Sequence, residues 1–165
     1  MFGNMKKKHG VIFMEMATEF RKNKHVVIEV VPMPIEKHDE TPIYFKKAIL
    51  DSDEMWAQNT KLVDTTGKGL RRSIPPRFPF FHVEFGLDTG FAHVIEDEEK
   101  FPRHFGKEVA GGMLEVFPDA WLKPKKQSFD EENRRVQEFK RNWAPYDWTK
   151  QLDETAASSA ASTSN

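Results

Sequence analysis

The chain has 165 residues, 38% of them hydrophobic and 31% charged, which is enough for one compact domain or two small ones sharing a surface. With 25 basic and 26 acidic residues the net charge is -1, so no global field draws it to nucleic acid or membrane, and any such binding must be local. The absence of cysteine excludes disulfides, thiolate nucleophiles and thiolate zinc sites, and no apolar run is long enough to span a bilayer, so a soluble intracellular protein is expected.

Val11 to Met16 and Lys24 to Met33 are rich in Val, Ile, Phe and Met, and the polar stretch between them reads as the link of a two-strand pair that Pro32 and Pro34 close. Thr41 followed by Pro42 reads as the cap and first residue of a helix carrying Phe45, Ala48, Ile49 and Trp56, with Asp51 to Asp53 as a possible break.

From Asn59 to Phe78 periodicity is lost and Gly67, Gly69, Pro75 and Pro76 mark a long connection. Lys61, Lys68, Arg71, Arg72 and Arg77 against Asp64 give that connection a net +4. It reads either as a solvated link or as a loop that contacts RNA phosphates.

Phe81, Val83 and Phe85 alternate with Phe80, His82 and Glu84, and Phe91, His93 and Ile95 do likewise beyond Gly86 to Gly90, a β-hairpin signature. The acidic run Glu96 to Glu99 suits the start of a helix running from near Phe101 to Ala110, where Gly111-Gly112 either stops it or admits a neighbouring backbone. Ser128 and Glu131 read as a capping box for a helix whose stripe is Phe129, Glu132, Val136, Phe139 and Trp143, with Arg134, Arg135 and Arg141 opposite. Beyond Leu152 the chain is mostly Ala, Ser and Thr, and a disordered tail over 151–165 is expected.

In His25-Val26-Val27-Ile28-Glu29 the residues at 25, 27 and 29 share one strand face. Three histidines at that spacing would make a histidine-triad nucleotide hydrolase strand, in which the middle imidazole attacks phosphorus. Val27 has no lone pair to offer, so His25 reads as a phosphate or ribose contact or as a surface histidine. Alternation turns His82 and His93 to opposite faces of the hairpin, which disfavours a shared metal; His93 reads as a hydrogen-bonded histidine at the core boundary, and His82 with Glu84 as a partner-facing pair. No phosphate loop, zinc-protease or serine-hydrolase motif occurs, so neither enzyme, cofactor nor metal is expected.

Pro42 to Ile49, Phe78 to Gly86, and Gly90 to Asp97 running on through Phe101-Pro102 and Phe105 to Glu108, together with the close Trp143 to Thr149, resemble the C-terminal region of CwfJ-type (Cwf nineteen-like) splicing factors. The resemblance covers about Val11 to Thr149 and implies an α+β fold: the end of a histidine-triad-like domain with a connecting helix over 1–50, then a second C-terminal domain over 51–150 whose hairpin is covered by helices near Phe101 and Phe129. It also implies that strands and a helix preceding Met1 are missing, as in a fragment, a short isoform or a mis-started gene model. The implied role is a nuclear, non-catalytic module of the late, intron-lariat spliceosome, with spliceosome proteins, lariat debranching enzyme and intron-lariat or snRNA backbone as partners. The alternatives are a histidine-triad-superfamily nucleotide hydrolase or transferase using His25, and a platform that docks proteins alone.

Overall fold

A computed structural model describes residues 9–20, 25–52 and 62–150 of the chain. It divides into two compact units, one over Lys6–Pro124 and one that includes the segment from Lys125 onward.

The first unit is built on a five-stranded antiparallel sheet in the order β2-β1-β4-β5-β3. Its strands are β1 (His9–Ala17), β2 (Ile28–Pro34), β3 (Val63–Asp64), β4 (Phe80–Phe85) and β5 (Gly90–Val94), and helix α1 (Ile35–Asp51) follows directly from β2. The α+β class holds, and the hairpin stands where the alternation places it, with Phe81 opposite His93 and Val83 opposite Phe91. At its turn Gly86 has φ of 85°, a left-handed conformation that suits glycine, and the Phe85 N–H donates to Thr89 O at 2.8 Å. β1 and β2, from the stretch expected to end at residue 50, and β3 to β5, from the stretch expected to begin at 51, share this one sheet: β1 pairs with β4 along Ile12 to Ala17.

Strand alternation sorts the side chains onto two faces. On the first, Ile12, Met14, Met33, Phe81, Val83 and Phe85 meet Phe45 and Ile49 of α1, and Phe105, Ala110 and Met113 of α3 (Phe105–Leu114). Phe45 lies 6.1 Å from Phe81, nearly parallel to it, and 6.0 Å from Phe85, while Phe105 meets Phe81 edge-on at 5.0 Å. Each such buried side chain contributes about 1.5–3 kcal/mol relative to exposure. On the second face Ile74, Ala92 and Val94 form a smaller cluster with Val63, Leu70 and Phe80. Leu70 and Ile74 come from the β3–β4 connection, in which α2 (Leu70–Ser73) is a single turn.

β2 ends at Pro34, as expected, with Pro32 paired inside it; β2 is an edge strand, where a residue without an N–H costs no ladder bond. Several expectations need correction. α1 begins at Ile35, so Thr41 and Pro42 are interior. Thr41 is buried and its hydroxyl donates back to Lys37 O at 3.0 Å, while Pro42 leaves the His38 carbonyl without its usual intrahelical donor. α3 continues through Gly111-Gly112 to Leu114 and ends on Glu115 at φ of 56°. A Cβ on Gly111 would stand 2.5 Å from the ring of Trp121, which belongs to the short helix α4 (Asp119–Leu122), so this glycine admits a side chain. α3 starts at Phe105, four residues beyond the expected Phe101, and Asp97 and Glu98 are bonded elsewhere. Asp97 Oδ1 accepts from the Glu99 and Lys100 N–H groups and its carboxylate pairs with Lys100 at 2.7 Å, while Glu98 accepts from the Glu19 N–H.

In the second unit, α5 (Phe129–Trp143) runs into a 3-10 turn over Ala144–Tyr146. Its capping box is complete: the Glu131 N–H donates to Ser128 Oγ, and the Ser128 N–H donates to Glu131 Oε2 at 3.0 Å. The expected tail over 151–165 lies outside the described residues.

Candidate functional site

The strand that carries the triad positions leads into a small cavity. β2 has ladder partners only from Ile28 onward, so His25, Val26 and Val27 precede the paired strand. Val27 and Glu29 line a cavity of about 120 Å³ over Met14, Met16 and Phe81, and Arg103, His104, Gly106 and Lys107 at the N-terminal end of α3 close it. Gly106 sets that approach. A Cβ there would stand 2.8 Å from Met14 Sδ and 2.9 Å from the Phe81 ring, so only glycine lets the helix start come down on the sheet. Glu29 pairs with Lys107 Nζ at 2.5 Å. His25 lines a separate, smaller cleft with Met16, Ala17, Thr18 and Phe20. The structure therefore brings Val27 and Glu29 together with three basic side chains and leaves His25 outside. The middle position offers hydrocarbon, and the third is an ion-paired carboxylate. Arg103, His104 and Lys107 were not singled out from sequence; they follow Pro102 at a helix start, a context that usually signals only a cap.

The basic connection is less of a loop than its composition suggests. Thr65 N–H donates to Gly90 O at 3.0 Å, Gly67 N–H to Asp88 O at 3.2 Å, and Lys68 and Gly69 N–H groups both donate to Thr65 O. Gly67 and Gly69 take φ of 71° and 70°, which this tight winding requires. Hydrogen bonds from the Thr66 hydroxyl and N–H, aided by the Lys68 charge, hold the Asp64 carboxyl below its usual 3.8. Ile74 then anchors the far side in the second-face cluster. Lys68, Arg71 and Arg72 are exposed and mounted within five residues of one another on this frame, beside the hairpin turn. Arg77, at φ of 70°, lies at the other end of the hairpin, where Ile95 N–H donates to Pro79 O. Lys61 lies outside the described residues. Arg77 shares a groove with Arg103, Glu19, Glu98 and Glu99.

His82 and His93 do occupy opposite faces, but both are buried. His93 stacks on Phe101 at 5.4 Å. His82, expected to face a partner, is only 5% exposed: its Nδ1 is 3.5 Å from Glu15, and its Nε2 is 3.3 Å from the Thr65 hydroxyl and 3.8 Å from Glu84. The connection covers this part of the second face, turning what alternation marks as an outward pair into an internal polar cluster. Among the described residues no cluster of three or more His, Asp or Glu suits a metal ion, and no helix is long and apolar enough to cross a membrane.

Residues 55–149 match the family described as "Protein similar to CwfJ C-terminus 2". The chain belongs to this CwfJ C-terminal family. It is 49% identical over 139 residues to CWF19-like protein 2 of Homo sapiens, an alignment covering 84% of this chain and 16% of that protein. CWF19-like protein 2 of Danio rerio is also 49% identical over 139 residues, covering 84% and 14%. Pre-mRNA-splicing factor cwf19 of Schizosaccharomyces pombe is 33% identical over 152 residues, covering 87% and 24%. The chain thus spans about a sixth of the human relative's length. The CwfJ match takes in β3, β4, β5 and α2 to α5, whereas β1, β2 and α1 precede it in sequence, β1 and β2 while sharing its sheet.

Proposed function

We propose that this chain is a non-catalytic binding module of a nuclear pre-mRNA splicing factor, acting at the late spliceosome that holds the excised intron lariat. Its ligands in this reading are RNA backbone and spliceosome proteins, and it serves lariat debranching and turnover by holding partners rather than by chemistry. Membership of the CwfJ C-terminal family and similarity to a protein named as a pre-mRNA-splicing factor support the setting. The observation that carries RNA contact is the mounted cluster Lys68, Arg71 and Arg72: three exposed cations held on a hydrogen-bonded frame, with no aromatic ring among them. Such a surface tracks phosphates without reading bases. Against turnover stands Val27, which presents a hydrocarbon side chain to the cavity where a nucleophilic histidine would be needed.

Replacing Lys68, Arg71 and Arg72 together by Ala should flatten the slope of log affinity against log salt by about two units, at roughly 0.7 per neutralised single-strand phosphate. The thermal midpoint should stay nearly unchanged, because all three side chains are exposed. An unaltered salt slope would remove the cluster from RNA contact. Adenylated and dinucleoside substrates should not be turned over, and His25-dependent product release would overturn the non-catalytic reading.

A further inference from the structure

The second unit carries aromatic surface that the basic cluster lacks. Along α5 and the 3-10 turn, Phe139, Trp143 and Tyr146 are 46%, 37% and 47% exposed, and Trp148 beyond them is 63% exposed. Their order is not that of a collapsed apolar patch. Phe139 and Trp143 lie one helical turn apart with planes within 10° of parallel and centroids 6.2 Å apart, and Tyr146 continues the series at 6.5 Å from Trp143. These centroid separations exceed those of closely stacked rings, so each ring keeps face area open. Cations border the series. Arg135 stands four residues before Phe139 and Lys140 three before Trp143, which makes both of them surface neighbours of the ring pair. At 3.6 residues per turn they fall about 70° to either side of the stripe's centre, so Arg135 is at the rim of the stripe and not opposite it. Neither they nor Arg134 and Arg141 are ion-paired with a described residue.

Charge is graded along the helix as well. Asp130, Glu131 and Glu132 fill the first turn, whereas over 133–150 five basic residues face only Glu138 and Asp147, a net +3 around the rings. An apolar protein groove would gain nothing from unpaired cations on both rims. A polyanion with flat apolar faces would use both features.

We propose that the segment from Arg134 to Trp148 is a binding surface for single-stranded RNA, with bases stacking on Phe139, Trp143, Tyr146 and Trp148 and phosphates meeting Arg135 and Lys140. It rests on the RNA-binding reading above and adds to it a second site with a different physical basis: base stacking tolerant of sequence, in place of backbone charge alone. The spacing suits a flexible strand, whose bases can be splayed out to reach successive rings; paired bases in a duplex cannot do so.

The test uses the full 165-residue chain with short unstructured oligoribonucleotides and, in parallel, an RNA duplex. Binding should quench tryptophan emission with the single strand and not with the duplex. Trp143→Leu with Trp148→Leu should weaken single-strand binding roughly tenfold or more while leaving the salt slope unchanged. Arg135→Ala with Lys140→Ala should lower that slope by about one unit. Leucine is a good helix former, so far-ultraviolet circular dichroism should show α5 intact in the tryptophan variant. Unchanged affinity in that variant together with absent quenching overturns this site, and leaves the basic cluster standing if its triple variant still flattens the slope. Loss of a protein contact with RNA affinity intact also overturns it. If the parent chain shows no salt-dependent RNA binding, both readings fall.

Discussion

Helices α1 and α5 are both amphipathic, but they hold their shape by different means. α1 buries Thr41, Phe45 and Ile49 completely, starts on Pro34 with no side-chain cap, and tolerates Pro42 in its interior. α5 buries none of its residues, yet it has a full capping box, an acidic first turn and basic residues in its last turn. Local capping is dispensable where a helix is pressed onto an aromatic core, and decisive where no burial supports it. An apolar stripe therefore reports a helix without reporting whether that stripe is covered.

The largest effect that separates the two should come from the core. Phe45→Ala removes the ring that touches both Phe81 and Phe85 from a site with no solvent exposure. A loss of about 3–5 kcal/mol is expected in chemical denaturation of the sheet unit. Amide exchange in α5 should not respond. Matching losses of protection in both units would mean that they do not unfold independently.

Period-two alternation around Gly86 to Gly90 made the hairpin legible in the sequence, because Phe81, Val83 and Phe85 keep one face of β4 apolar although both faces of the hairpin are covered. Ser128 and Glu131 made the start of α5 legible in the same way, since the signal is local and nothing tertiary competes with it. Thr41-Pro42 misled for the converse reason: packing of Phe45 and Ile49 extends α1 backwards past a residue pair that would begin a helix in isolation. β3 and α2 were hidden because they need only Val63, Leu70 and Ile74 to settle on the second face, too few for any periodicity. The same fold-over buried His82, and no one-strand pattern can tell which face a distant connection will cover. The cations at the start of α3 were invisible as a group, because only the descent of Gly106 onto Met14 and Phe81 brings them to Val27 and Glu29.

A smaller effect sharpens the contrast from the other side. Ser128→Ala deletes the hydroxyl that accepts from the Glu131 N–H, and should cost α5 about 1 kcal/mol. That corresponds to roughly fivefold faster amide exchange in its first turn. The sheet unit's denaturation midpoint should be unmoved, because no residue of that unit takes part in the cap. A midpoint shift would show that the cap serves more than α5.

The smallest expected effect is a pH step in the same cap. Hydrogen bonds from the Ser128 N–H and hydroxyl favour the ionised form of Glu131, so its carboxyl sits below the ordinary 4.5. A carboxyl depressed by folding stabilises the folded form fully above its unfolded value, and that contribution disappears as pH falls through the folded value. α5 should therefore keep its first-turn protection down to about pH 4.5 and lose it progressively in more acid solution. Asp64 and Asp97 are depressed too, by Thr66 and by Lys100 respectively, so a bulk signal would mix three titrations. Residue-resolved amide spectra separate them. Ser128→Ala should shrink the acid step at Glu131, since the hydroxyl donor is gone, and leave the Thr66 and Lys100 amides titrating as before. A step of unchanged size in that variant would place its origin in the backbone N–H of residue 128, which the substitution retains, or in the helix dipole, and not in the hydroxyl.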